Sequence, residues 1–260
     1  MSEFLKDREA DLHDAPVAVE ADVDAFSPEA RRAILGLLVT LGDNKYKLGR
    51  RYSEWATSGP TLEASVAAAS MTSDEMGHAR SLYPLLRKFP DAPPELRKEE
   101  DRTDFANVSF LDEPFEHWTD FIAATALFDR AMNVVIRSMR ESAYGPFRHR
   151  AKKMLQEEQY HLLYADGWLE TLAGDDGTRA RLKDSLNRYW LETLAWFGPE
   201  TDPVFSVAAA DRILDADGTT LRERFMAEVR EAVGAASGIG FPDTQDLPWD
   251  RWDAANRRLG

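Results

Sequence analysis

Two Glu-x-x-His pairs are the residues in this sequence whose types and spacing best suit chemistry. Glu75 and His78 stand in "MTSDEMGHAR", and Glu158 and His161 follow 83 residues later in "MLQEEQYHLLYADGW". Residues three apart are neighbours on a helix surface, so each pair can direct its carboxylate and its imidazole at one atom. Carboxylate oxygens and neutral imidazole nitrogens suit iron or manganese, and two facing pairs can hold two metal ions.

Both pairs fall inside the apolar stripes of predicted helices. The stripe of the second predicted helix is Ala64, Ala68, Met71, Glu75, His78, Leu82 and Leu85. The stripe of the fourth is Ala151, Met154, Glu158, His161, Ala165, Trp168 and Leu172. Because the apolar stripe of a helix packs into the core, the sequence predicts that both pairs are buried and face each other.

A four-helix centre with two metals also takes one carboxylate from each of the other two helices. The third predicted helix offers Asp129, a charge in the middle of an apolar stripe, where an unpaired carboxylate would need a metal or a basic partner. On the first helix the best candidate is Asp43 in "TLGDNKYKLG", with an ion pair or an exposed position as the alternative. Asp74 and Glu157 fall out of phase. The predicted metal ligands are therefore Asp43, Glu75, His78, Asp129, Glu158 and His161.

Start and stop signals divide the chain into six predicted helices. The first begins with Ser27 as its N-cap and Pro28 at its first position. The predicted ranges are 28–55, 61–88, 115–143, 147–173, 178–197 and 219–236. No alternating run of Val, Ile and Thr indicates a strand. The pattern predicts an all-α bundle with additional C-terminal helices.

Changes in composition suggest three parts of the chain. Residues 1–26 are polar and acidic and are predicted to form an N-terminal arm. Residues 27–240 are predicted to form the helical domain. Residues 241–260 carry proline and two tryptophans and are predicted to lie across the bundle as an extended C-terminal tail.

Composition excludes several classes of function. The chain has no cysteine, which excludes disulfides, thiolate metal sites and thiol catalysis. Its net charge of −14 disfavours nucleic acid. The most apolar run, "ILGLLVTLG", is too short to span a bilayer, and the N-terminal residues do not resemble a secretory signal. We therefore expect a cytoplasmic protein with no membrane or nucleic-acid partner.

The sequence resembles the ferritin-like subunits of phenylacetyl-CoA epoxidase, the multicomponent ring 1,2-epoxidase of phenylacetate degradation. The run "LGDNKYKLGRRYSEWATSGPTLEASVAAASMTSDEMGHAR" is similar to the first helix pair of those subunits, and "FDRAM" and "EEQYHLLYADGW" continue the similarity over roughly residues 30 to 197. That family has a catalytic subunit with a di-iron centre and a structural subunit that has lost the metal ligands. "LGD" and "SEW" are similar to the structural subunit, whereas "DEMGHAR" and "EEQYH" keep the ligands of a catalytic one.

The resemblance implies a ferritin-like bundle and a di-iron oxygenase of the catalytic type. Two iron ions, or manganese, would be the cofactors, and Glu75 and Glu158 would be the catalytic carboxylates. The implied partners are O2, an aromatic acyl-CoA substrate, a reductase and a paralogous ferritin-like subunit in a homo- or hetero-oligomer. Two alternatives stay open: a scaffold subunit of such a complex, and a ferritin-like protein that handles iron or peroxide.

Overall fold

A computed structural model describes residues 23–90, 92–93, 104–236, 238–239 and 246–260. Most of the predicted N-terminal arm and the start of the predicted tail lie outside these residues. The arm, domain and tail boundaries therefore stay predictions.

Seven helices make up most of the described chain. Their ranges are α1 (Pro28–Ser53), α2 (Leu62–Leu86), α3 (Trp118–Ala124, continued by Thr125–Asp129 and Arg130–Ser138), α4 (Gly145–Ala173), α5 (Asp176–Ala195), α6 (Pro203–Ala210) and α7 (Gly218–Ala235). Helices α1 and α2 begin as predicted, because the side chains of Ser27 and Thr61 accept hydrogen bonds from the backbone N–H groups of Ala30 and Ala64.

Helices α1 to α4 form a four-helix bundle around a large apolar core. Helix α2 packs along α1 and also against α4, and α3 packs against α4. Helices α2 and α4 run antiparallel, since Arg150 near the start of α4 donates to the carbonyl of Ser81 near the end of α2. This arrangement places the middle of α2 beside the middle of α4.

The later elements cover the bundle on the sides of α1 and α3. Helix α5 packs against the first segment of α3, α6 against α1 and α7 against the last segment of α3. Residues 246–260 end in a small antiparallel pair of strands, β1 (Trp252–Asp253) and β2 (Arg258–Leu259). Buried Arg257 fixes this segment to the body of the protein, since it donates to Asp202 at 3.0 Å and to the carbonyl of Trp196.

The predicted all-α, ferritin-like bundle with additional C-terminal helices is confirmed. Three features of the structure were not predicted from the sequence: helix α6, the short strand pair, and a single π turn at Thr125–Asp129 inside α3. None of the described helices combines the length and the hydrophobicity that crossing a membrane requires.

Candidate functional site

Four of the predicted ligands meet at the centre of the bundle. Glu75, Asp129, Glu158 and His161 are all buried, and each offers one ligand atom within 4.8 Å of the others. They come from α2, α3 and α4, whose apolar stripes turn these polar side chains inward. The group could hold a metal ion.

Helix α1, the remaining helix of the bundle, places a cation at the same centre. Lys45 of α1 is fully buried, and its Nζ lies 2.7 Å from Asp129 Oδ1 and 2.9 Å from Glu75 Oε1. The same Nζ also donates to Glu158 Oε1. An ammonium group has three N–H donors, and all three are used here on one carboxylate from each of α2, α3 and α4. Lys45 therefore ties the four helices together through a single atom.

The charges at the centre support one another. Burial alone would lower the pKa of Lys45, but the charges of Asp129, Glu158 and Glu75 outweigh burial and hold this pKa well above its usual value. Burial likewise acts to raise the pKa of Glu158, yet Lys45 and His78 hold it well below its ordinary range. Burial raises the pKa of Glu75 to about 7, against the opposing effect of Lys45.

Each histidine lies between an inner and an outer carboxylate. His161 Nδ1 faces inward, 3.1 Å from Asp129 Oδ2, while its Nε2 lies 3.2 Å from Asp74. His78 Nδ1 faces inward, 3.1 Å from Glu158 Oε1, while its Nε2 lies 2.8 Å from Glu157. The outer acid in each case is the residue that precedes the glutamate of the opposite helix.

These carboxylates raise the pKa of both imidazoles. Burial lowers the pKa of His161, but its hydrogen bonds to Asp129 and Asp74 raise it overall to about 12. Burial also lowers the pKa of His78, but the hydrogen bond and charge of Glu158 raise it above its ordinary value. Lys45 and His161 therefore face the three buried carboxyl groups as cations.

The π turn in α3 sets the position of Asp129. A π turn inserts an extra residue into the helix, which changes the direction in which the following side chains point. Tyr52 of α1 packs beside it, with its hydroxyl 2.8 Å from Thr125 Oγ1 and 3.5 Å from Asp129 Oδ2. Asp129 thus receives hydrogen bonds from three directions, including those from Lys45 and His161.

The structure does not bring Asp43 to the centre. Its carboxylate is buried, but it accepts hydrogen bonds from the hydroxyl of Tyr83 at 3.0 Å and from the backbone N–H of Ala106 at 2.7 Å. The next residue, Asn44, bonds to the backbone of Ala106 and Val108. Asp43 therefore fastens the segment around residue 106 to the bundle. The prediction that Asp43 is a ligand at the centre is therefore corrected: its carboxylate binds Tyr83 and the backbone of Ala106 instead.

Helix α1 is buried on more than one side, and this explains the misplaced residue. At helical spacing, Asp43 falls on one stripe with Val39, Tyr46 and Arg50, but Tyr46 is only half-buried and Arg50 is exposed. The stripe that faces the centre is fully buried and reads Ile34, Leu38, Leu41, Lys45, Leu48 and Tyr52. A lysine in the middle of an unbroken apolar stripe is the sequence feature that could have identified Lys45 as the residue of α1 at the centre.

The donor set does not fit a pair of metal ions while Lys45 lies at the centre. Such a centre takes a carboxylate from each of the helices that lack the Glu-x-x-His motif. Helix α3 supplies Asp129, but α1 supplies an ammonium group, which cannot bind a metal and already occupies an oxygen of each carboxylate. The expected two iron ions stay a prediction.

Comparisons of the sequence with known proteins identify its family. The sequence model of the family described as "phenylacetic acid catabolic protein" matches residues 17–255. Two different subunits of the 1,2-phenylacetyl-CoA epoxidase of Escherichia coli (strain K12) are also similar to the chain. The first is 28% identical over 208 residues, which cover 79% of this chain and 82% of that protein. The second is 25% identical over 209 residues, which cover 79% of this chain and 67% of that protein. The family match extends over nearly the whole chain, and the protein therefore belongs to the phenylacetic acid catabolic protein family.

Proposed function

We propose that the chain is a metal-free scaffold subunit of a multicomponent epoxidase that acts on an aromatic acyl-CoA. Two relatives named as subunits of 1,2-phenylacetyl-CoA epoxidase support membership of such a complex. The observation that carries the scaffold role is the ammonium of Lys45, which contacts all three buried carboxylates. In this proposal the internal cation does the structural work that metal ions would do elsewhere in the family.

The chemistry of Lys45 argues against an oxygen-activating role for this chain. Its pKa is held well above the usual range, so the group stays charged at any physiological pH. A metal ion would have to displace it into an apolar core, and moving an unpaired charge into such surroundings is costly. O2, the acyl-CoA and the reductase would then engage other components of the complex, with this protein supplying a rigid docking body.

One observation favours a second candidate, a centre with a single metal ion. The Oε2 atoms of Glu75 and Glu158 are buried and have no hydrogen-bond partner. Together with Asp129 and His161 they leave carboxylate and imidazole groups that could accept one ion. This candidate keeps the catalytic interpretation open and differs from the scaffold in its metal content.

Metal analysis of two forms of the protein separates the candidates. We expect the wild-type chain, produced with iron and manganese supplied and again after anaerobic incubation with Fe²⁺, to hold well below one metal ion per chain. Lys45→Glu places a carboxylate on α1, so that all four helices of the bundle supply one. We expect this variant to retain close to two metal ions per chain. One or more tightly bound ions per wild-type chain would overturn the scaffold proposal, whether or not the variant folds.

A further inference from the structure

One face of the bundle carries an unusual set of exposed side chains. Within the described residues, the large hydrophobic side chains that stand exposed are Leu62 (76%), Val66 (62%), Tyr160 (66%) and Leu163 (70%). All four lie on α2 and α4, on the side turned away from α1 and α3. The later helices α5, α6 and α7 cover the other sides of the bundle.

The surface between these hydrophobic residues has little free charge. In the middle of this face, the other exposed positions of α2 and α4 are small or uncharged: Ala69, Ser70, Ser73, Gly77, Gln156, Gln159 and Gly167. The exposed charges of the two helices lie beyond these positions, toward the ends of the face. Asp74 and Glu157 reach this surface only partly, because they bond to the two histidines. In a chain with a net charge of −14, such a surface is where two copies can approach with least repulsion.

The two ends of this face carry opposite charges. Arg80 on α2 and Lys153 on α4 are exposed at one end, and Glu63 on α2 and Glu170 on α4 are exposed at the other. We propose that a second copy of this chain docks on the α2/α4 face about a two-fold axis that lies in the interface and runs across both helices. Such an axis places the basic end of one copy against the acidic end of the other.

Both helices put the axis at nearly the same level. On α2 the charged residues centre between residues 71 and 72, and on α4 between 161 and 162. These levels lie within two residues, or about 3 Å, of each other along the bundle, because the contacts of His161 with Asp74 and of His78 with Glu157 pair α2 positions with α4 positions whose numbers sum to 235. The axis therefore sets Tyr160 opposite Leu163 of the second copy at the centre of the face.

The same axis places the exposed aliphatic residues of α2 opposite a pocket of the second copy. Val66 faces Gly77 of the second copy, and Leu62 faces Ser81. Gly77 and Ser81 line a pocket of about 350 Å³ between α2 and α4, and a Cβ atom at Gly77 would meet no atom within 4 Å. Each copy thus presents two exposed aliphatic side chains at one end and a pocket at the other.

The face is large enough for a specific dimer. From Glu63 to Arg80 it spans about 26 Å along the helix, and two adjacent helices are about 20 Å wide. This gives roughly 500 Å² on each copy, or about 1,000 Å² in total, which is at the lower limit for a specific interface. The inference does not depend on the proposed function.

Mass measurement on charge variants tests the interface. At tens of micromolar, we expect the wild-type chain of 29.3 kDa to sediment as a dimer. The variant Arg80→Glu/Lys153→Glu has two acidic ends and the variant Glu63→Lys/Glu170→Lys has two basic ends, so each should be monomeric alone. A 1:1 mixture of the two should recover the dimer, which a merely damaged fold could not do.

Two further variants sharpen the result. Leu163→Arg, at an exposed position, should also give a monomer, whereas Lys183→Glu on the exposed side of α5 should leave the dimer intact. A monomeric wild-type chain would overturn the proposal. So would a dimer that survives Leu163→Arg and both charge variants. Because mass and metal content are separate measurements, either proposal can fail without the other.

Discussion

Replacing Lys45 by methionine removes the charge at the centre and keeps an unbranched side chain of similar length. Methionine adapts to irregular space in a core, so the substitution tests electrostatics more than packing. It leaves the buried carboxyl groups of Glu75, Asp129 and Glu158 facing only the imidazoles of His78 and His161. The centre then has one cation fewer for the same three carboxyl groups.

The expected loss of stability is large. Breaking a buried ion pair by removing one partner costs about 3–5 kcal/mol, because the remaining charge stays buried. Lys45 is fully buried and contacts three carboxylates, so its removal belongs in this range. For a chain of 260 residues a loss of 1 kcal/mol lowers Tm by roughly 2 °C, which gives a drop of about 6–10 °C.

The loss in free energy of unfolding caused by Lys45→Met should be larger at high pH than at low pH. The pKa of Glu75 is already raised to about 7, mainly by burial, and Lys45 opposes this rise. Without the ammonium the pKa of Glu75 rises further above its unfolded value. A group whose folded pKa is raised stabilises the fold at low pH, and this contribution is lost as the pH increases through the folded pKa. The variant should therefore be most destabilised at pH 8 and less so at pH 5.5.

Denaturant unfolding of the wild type and Lys45→Met at both pH values measures these differences. Lys47→Met is the matched control: Lys47 lies on the same helix and pairs with Asp112 at 2.7 Å, but the pair is partly exposed. Its loss should cost no more than about 1 kcal/mol. If the two variants lose similar free energies of unfolding at pH 8, the argument that Lys45 neutralises the centre is refuted.

Three further substitutions test other parts of the structure. Asp43→Asn should lower the free energy of unfolding by about 1–3 kcal/mol, because the bond from the N–H of Ala106 weakens, and should leave metal content unchanged; a change in bound metal would return Asp43 to the centre. Arg257→Met should cost about 3–5 kcal/mol by stranding Asp202, and limited proteolysis should then cut the C-terminal segment faster than in the wild type. Gly198→Ala should cost more than about 1 kcal/mol in thermal unfolding, because Gly198 has φ of 77° and its Cβ would lie 2.8 Å from that of Asp202; an unchanged Tm would contradict this.

The sequence by itself determined the helices and the inward-facing pairs. Helix periodicity and capping are local, so α1 begins after its predicted N-cap Ser27, α2 begins within one residue of its predicted start, and α4 ends at Ala173 as predicted. The Glu-x-x-His spacing likewise depends only on helix geometry, which is why Glu75 and Glu158 lie buried at one level. Asp129 could be selected for the same reason, as a lone charge in an apolar stripe.

Only the tertiary structure decided what neutralises those carboxylates. Helix α1 is packed on several sides, so its apolar pattern does not identify which face looks into the bundle, and Asp43 and Lys45 point about 200° apart around it. The roles of Asp74 and Glu157 also depend on the register between α2 and α4, which no local pattern specifies. Whether four helices share a metal or an ammonium is a property of their meeting point, and that point exists only after they have packed together.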